Sequence, residues 1–370
     1  MNSKNNFFIT QESMKPGRVA PILSVGIIGW LKHNLFSSWV SSVFTLVSLL
    51  IIWLVIKDFL DWALFTADFA GESRIDCTNS GACWAWVDLR IYQFLYGFYP
   101  REEVWRVNLT LILLVPALLP VLFHKIPKVN YLRLFAIIYP FIAAILLNGG
   151  FGLSEIPTSK FGGFTLNITI GITGIFLSLP FGILLALGRR SKMVVVRLLS
   201  TAFIEIFRGV PLITLLFVAA ILFPIFMPSS FSLDLLIRVI VVVTLFSSAY
   251  MAEVIRGGLQ AIPKGQYEAA QALGMRYWKM LGLIILPQAL KISIPGIVNT
   301  FIGLFKDTTL VIVIGLFDIL NIGNSMVSNP DWMGLSKEVH IVTALFFFVA
   351  CFSMSRYSIY LEQLLNKAKN

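Results

Sequence analysis

The chain has 370 residues, 57% of them hydrophobic and only 13% charged, against about a quarter charged in a soluble globular domain. A soluble core would not hide that much apolar surface, so the bilayer is the expected solvent. The formal charge of +10 raises nucleic acid as a partner, but Lys and Arg gather beside apolar runs, which speaks for the positive-inside bias of membrane proteins and against nucleic-acid binding.

The first 36 residues are polar and mixed, with Pro16 and Pro21, and show no cleavable signal-peptide pattern. The apolar run after them starts too late and is too long for one, and reads as a retained anchor. A helix needs about 20 apolar residues to cross about 30 Å of hydrocarbon. Eight runs meet that need: residues 38–56, 107–123, 132–147, 164–187, 211–227, 235–254, 285–304 and 339–357. The run 310–320 is too short to cross and reads as a membrane-edge or partly buried helix.

Basic residues set the orientation. They lie in the leading segment (Lys4, Lys15, Arg18, Lys32), in the second–third loop (Lys125, Lys128, Arg133) and in the fourth–fifth loop (Arg189, Arg190, Lys192, Arg197). Arg256, Lys264, Arg276 and Lys279 lie in the sixth–seventh loop, and Arg356, Lys367 and Lys369 in the tail. With eight spans, all of these fall on one side. The loop 57–106 carries eight acidic residues against five basic ones and goes outside. Both termini are then expected in the cytoplasm. The fold class is all-α: a polytopic integral membrane protein of about eight transmembrane helices. A glycine-rich junction, Asn148-Gly149-Gly150-Phe151-Gly152 and Phe161-Gly162-Gly163, divides it into a three-helix extension (1–150) and a five-helix core (151–370). Trp84, Trp86, Tyr92, Tyr96, Phe98 and Tyr99 of the outer loop are expected to lie at the interface. Phe is abundant at 31 residues, and Trp and Tyr number 9 and 10.

No phosphate-binding P-loop, nucleophile elbow or His-Glu-x-x-His sequence is present, and His33, His124 and His340 stand far apart. Catalysis by this chain is not expected, nor a metal, and the histidines read as interfacial or structural. Cys77 and Cys83 have poor zinc spacing and no further ligand nearby. Two readings stay open for them, a disulfide in an outer loop or two free thiols. Cys351 lies in an apolar run.

The stretch 252–287 is a loop with a helical pattern of its own. Pro263 suits a helix start. From Tyr267 a helix puts Ala270, Leu273 and Tyr277 on one side, and Ala269 and Ala270 are small enough for another surface to approach. Glu268 falls in the expected first turn, where an acid is favoured. Gly274 permits a sharp change of direction, and a second helix leads through Trp278 and Leu281 to Pro287. The pattern fits an elbow that docks on a soluble partner; it also fits an amphipathic linker bound to lipid alone.

Glu268-Ala269-Ala270, three residues, Gly274, then Ile284-Ile285-Leu286-Pro287 (I-x-L-P) resembles the EAA loop of ATP-binding-cassette importer permeases. Phe203-Ile204-Glu205-Ile206-Phe207-Arg208-Gly209-Val210-Pro211-Leu212 is similar to a run of the polar amino-acid permeases. So are Ala249-Tyr250-Met251-Ala252-Glu253-Val254-Ile255-Arg256-Gly257-Gly258 and Lys306-Asp307-Thr308-Thr309-Leu310. The whole chain, with its extra three spans, resembles the longer AapM-type subunits of general L-amino-acid importers.

That resemblance implies a multi-pass permease subunit in a bacterial inner membrane. It implies an ATP-binding-cassette ATPase dimer, a second homologous permease subunit and a periplasmic amino-acid-binding protein as partners, besides membrane lipid. Glu268, Ala269, Ala270 and Gly274 would couple to the ATPase, which would use ATP and Mg, so no cofactor is expected in this chain. Ionisable groups within spans are costly and face cavities or one another. Glu253, Arg256, Lys306, Asp307 and Asp318 are the candidates, and Glu253 and Arg256, three apart, can pair on one helix face. Asn299, Thr300, Lys306 and Asp307 are the candidate substrate-pathway residues, although Asn299 and Thr300 equally suit a bond to a neighbouring helix. The rival from another class is an autonomous channel or ion-coupled transporter, which needs a midplane ion site or broken-helix repeats.

Overall fold

A computed structural model describes residues 26–123, 129–228 and 233–367. Lys4, Lys15, Arg18, His124, Lys125, Lys128 and Lys369 lie outside the described residues. Two compact units are distinguished, one of Met1–Asp68 with Asn79–Ala82 and one of Phe69–Thr78 with Cys83–Asn370.

The first unit holds α1 (Gly26–Asn34) and α2 (Trp39–Leu60). Ser38 caps α2 by accepting a hydrogen bond from the Ser41 amide at 3.1 Å. The corner before it is closed by the Thr45 hydroxyl, which donates to the Leu35 carbonyl at 2.7 Å. The α2 side chains are apolar all round and exposed, the pattern of a helix whose solvent is lipid. A wider turn, Asp61–Phe65, ends it, and the Ala82 amide returns to the Trp62 carbonyl at 2.8 Å.

The second unit continues with α3 (Ala85–Tyr96), α4 (Val104–Leu122), α5 (Val129–Asn148), α6 (Gly163–Arg189) and α7 (Val194–Gly209). Then come α8 (Leu212–Phe217), α9 (Phe223–Phe226), α10 (Leu235–Gln260), α11 (Lys264–Ala272) and α12 (Tyr277–Met280). The chain closes with α13 (Leu286–Asp307), α14 (Ile319–Met326) and α15 (Ser336–Lys367). No strand forms among the described residues. Among the described residues, seven stretches are long and apolar enough to cross a bilayer: Trp39–Phe65, Arg101–Pro120, Val129–Asn148, Gly163–Arg189, Leu235–Gln260, Tyr277–Ile314 and Ser336–Leu365. A further pair, Val194–Gly209 with Leu212–Phe226, is apolar enough only when taken together and is bent between its halves, the form of a broken span, which would make eight, or of a re-entrant loop.

Small residues let α6, α10 and α13 approach closely. A Cβ at Gly171 would stand 2.8 Å from the Phe305 ring and one at Gly182 2.6 Å from the Met251 side chain, while Gly174 meets Leu304 and Val243. Between α10 and α13, a Cβ at Gly296 would come within 2.6 Å of Val254. Gly171, Gly174 and Ser178, read from sequence as packing positions, are packing positions. Around this seam lie an apolar core centred on Leu166, Ile170, Val239, Val243 and Leu304 and a second centred on Met251, Ile255, Leu259, Ile285 and Ala289.

Two expectations change in detail. Residues 211–227 were expected as one span; the chain instead runs from α7 into the Leu212–Phe226 stretch through a 102° bend. Pro211 is the cause: it has no amide hydrogen to donate, and its ring drives Val210 into an extended conformation, φ −108° and ψ 132°. The seventh span starts at Tyr277 rather than 285, because a wider turn at Leu281–Ile285 accommodates Pro287 without ending the helix. The run 310–320 is a tight helical turn, Thr308–Ile314, then Gly315 at φ +85° and the start of α14.

Candidate functional site

The elbow is built between two long helices. α10 ends at Gln260, Ile262 turns into the core, and Pro263 precedes α11. At the far end of α11 the Met275 amide donates to the Ala270 carbonyl at 3.1 Å and the Gly274 amide to the Gln271 carbonyl at 2.9 Å. That paired closure needs a left-handed residue, and Gly274 supplies it at φ +70°. Arg276 is extended, and α12 then runs into α13.

Ala270 is buried at 1% exposure against the core that holds Ile255, Met280 and Ile285. Glu268 and Ala269 point outward. Glu268 is the fifth residue of α11, not in its first turn, because the helix begins at Lys264. Leu273 does not share the face of Ala270: at 79% exposed it lies on the outer surface. α11 therefore buries one small side chain, and it and the turn after it present an acid, a flat alanine and a large apolar group.

Behind it five charged side chains from three helices converge. Glu253 of α10 receives Arg189 of α6 at 2.6 Å and Arg256 at 2.6 Å, with Arg208 of α7 at 3.8 Å. Arg189 also pairs with Glu205 of α7 at 2.8 Å. The Glu253–Arg256 pair was expected from their spacing; Arg189, Glu205 and Arg208 were missed as its partners, because nothing local joins residues so far apart in the chain. The one available signal was charge inside apolar helices. The Glu253 side chain is 16% exposed, so its ionised form depends on these guanidiniums. The Arg190 guanidinium stacks over the Tyr267 ring, 6.0 Å from its centroid. Gln288 of α13 donates to Gln266 at 3.3 Å. α11 is thus tied to α6 and α13 as well as continuing from α10.

The candidate pathway residues do not converge. Asn299 and Lys306, seven apart, are exposed on one face of α13, with open space beside Gly303 between them. The Thr300 hydroxyl donates to Gly296 of its own helix at 2.9 Å, and Asp307 is half-buried at the helix end. Asp318 is a fully buried cap: its carboxylate accepts from the amides of Asn321 at 3.1 Å and Leu320 at 3.4 Å and from the Asn321 side chain. Burial pushes its carboxyl above the usual range. Asn167 of α6, which sequence reading passed over, is fully buried beside it. It donates to the Thr308 hydroxyl at 2.8 Å and accepts from the Ile319 amide at 3.0 Å. A buried asparagine in an apolar span was the signal for that role.

On the other end of the second unit, the sulfurs of Cys77 and Cys83 are joined, with Cα atoms 5.7 Å apart. His33 and His340 are exposed, and the His340 ring bonds the Ser336 carbonyl one turn earlier.

Residues 178–367 match the family model described as "Binding-protein-dependent transport system inner membrane component". The chain is 49% identical over 356 residues to the inner membrane amino-acid ABC transporter permease protein YhdY of Escherichia coli (strain K12), covering 96% of this chain and 97% of that one. It is 43% identical to the glutamate/glutamine/aspartate/asparagine transport system permease protein BztC of Rhodobacter capsulatus, covering 97% and 98%. Among solved structures, an amino acid ABC transporter crystallised with histidines aligns over 54% of this chain and 90% of that chain, at 27% identity and a TM-score of 0.48.

Proposed function

The chain belongs to the family of binding-protein-dependent transport system inner membrane components, and from that membership we propose that it is the permease subunit of an ATP-driven importer of L-amino acids. It is a multi-pass inner-membrane protein and a transport component rather than an enzyme. In this reading a periplasmic binding protein delivers the amino acid, a second homologous permease completes the pathway, and a separate ATPase dimer binds and hydrolyses ATP with Mg. This chain holds no cofactor of its own. Both termini and the elbow lie in the cytoplasm, the extension is 1–150 and the permease domain 151–370.

The observation that carries the reading is the elbow: an exposed helix whose outer face offers Glu268, Ala269 and Leu273, while its inner face and ends are fastened to α6, α10 and α13. A helix held in that way transmits a push to three spans at once. Glu268, Ala269, Ala270 and Gly274 are the coupling residues, two as contact surface, one as the packed anchor and one as the bend. Asn299 and Lys306 on one face of α13, with Thr300 and Asp307 adjoining, are the substrate-pathway candidates; a zwitterionic amino acid needs both polarities on its route. BztC carries glutamate, glutamine, aspartate and asparagine in its name, and these four are the first substrates to assay.

The test is Glu268→Lys in the assembled importer. We expect membrane insertion and substrate binding to persist while ATP-driven uptake falls at least tenfold. Unimpaired uptake at normal expression refutes docking through α11. Uptake by the purified chain in liposomes with no ATPase present supports the ion-coupled alternative instead.

A further inference from the structure

We propose that the groove between the α6–α7 corner and Tyr277–Trp278 is a binding site for an anionic phospholipid of the leaflet on that side, seating its phosphate and the upper part of an acyl chain. The groove encloses about 580 Å³, roughly the room such a fragment needs. Its chemistry is divided. Leu184, Leu187 and Val196 contribute apolar lining, and Arg190, Ser191 and Lys192 polar lining, with no acidic residue among the lining residues. Two cations with a hydroxyl are a phosphate site in character. Lys192 has no ion-pair partner among the described residues, and Arg190 makes one long side-chain hydrogen bond, 3.4 Å to the Tyr267 hydroxyl, which leaves most of its donors free for a ligand.

The surroundings favour a lipid over a soluble partner. The groove opens onto α7, where Val194, Val195, Leu198 and Leu199 are each 64–68% exposed. That contiguous apolar surface is costly in water and ordinary against acyl chains. Trp278 and Tyr277, at 73% and 50% exposed, stand at its edge, and such aromatics prefer the head-group level. The basic cluster Arg189, Arg190, Lys192 and Arg197 marks the side where anionic lipid attracts cations. Arg190 also touches Tyr267 of α11, so a bound phosphate would sit one side chain away from the elbow.

The test uses the complete importer in nanodiscs of phosphatidylcholine doped with a photoactivatable phosphatidylglycerol or, separately, a photoactivatable phosphatidylcholine, with cross-linked peptides mapped by mass spectrometry. The expected result is about tenfold more labelling of residues 184–196 and 277–278 by the phosphatidylglycerol probe. Lys192→Gln and Arg190→Gln are each expected to cut that excess several-fold. The Lys192 side chain makes no hydrogen bond or ion pair among the described residues, so its variant remains informative even if Arg190→Gln disturbs the elbow. Equal labelling by the two probes overturns the proposal, as does an excess unchanged in Lys192→Gln. Cross-linking of the same peptides to a protein subunit in place of lipid also overturns it.

Discussion

Glu253 is the residue on which most depends locally. It neutralises guanidiniums from two other elements and one from its own helix, and two carboxylates face three guanidiniums in the cluster. Glu253→Gln keeps the shape and removes the charge, leaving Arg189, Arg208 and Arg256 to repel one another. Thermal unfolding in detergent should show a loss of roughly 1–3 kcal/mol, at the modest end because the site is part-exposed. ATP hydrolysis by the assembled complex should uncouple from uptake as α6, α7 and α10 loosen. Asp76 gives a pH effect in the loop before α3. The amides of Glu72 and Ser73 hold its carboxyl below the usual range. The folded loop binds the ionised form more tightly, so this contribution is complete above the ordinary aspartate pKa and is lost as pH falls through the lowered one. Protease sensitivity of the loop should rise on acidification in the wild type and lose that pH dependence in Asp76→Asn.

At the scale of elements, α11 is seated on the core by one small side chain, Ala270, and ended by one glycine, Gly274. A larger group at Ala270 meets a filled core, and Ala270→Leu should cost about 1–3 kcal/mol and lift the elbow, read as lost pull-down of the ATPase. Gly274 has open space around it, so Gly274→Ala meets no steric clash and costs roughly 1 kcal/mol through the left-handed backbone alone. It should weaken coupling less than Ala270→Leu; equal or greater loss would show that the space beside Gly274 is filled in the complex. The bend before α8 was legible in Pro211, but its size was not: a proline says where a helix stops, and the packing of α7 on α6 and α10 sets the direction that α8 takes. The start of α11 was legible in Pro263, whereas Glu268 was placed a turn too early because helix length cannot be counted from a proline alone.

For the whole molecule, sidedness is the property that experiment reaches directly. With loop 57–106 outside, a membrane-impermeant thiol reagent applied to intact cells should add no mass at Cys77 and Cys83 until a reductant is supplied, then add to both. Labelling without reductant would show free thiols. Sequence alone determined the all-α membrane class and the position of most of the long apolar helices, because hydropathy is summed over whole segments and survives errors of a few residues. It also pointed to the elbow, since Pro263, Gly274 and the short motif between them act on the local backbone. Tertiary structure decided which side of α11 faces the core, which charges meet at Glu253, and that Asn167 and Asp318 brace α14. Each of those depends on helices tens of residues apart coming within a few ångströms, and close packing is a relation between surfaces that no single segment encodes.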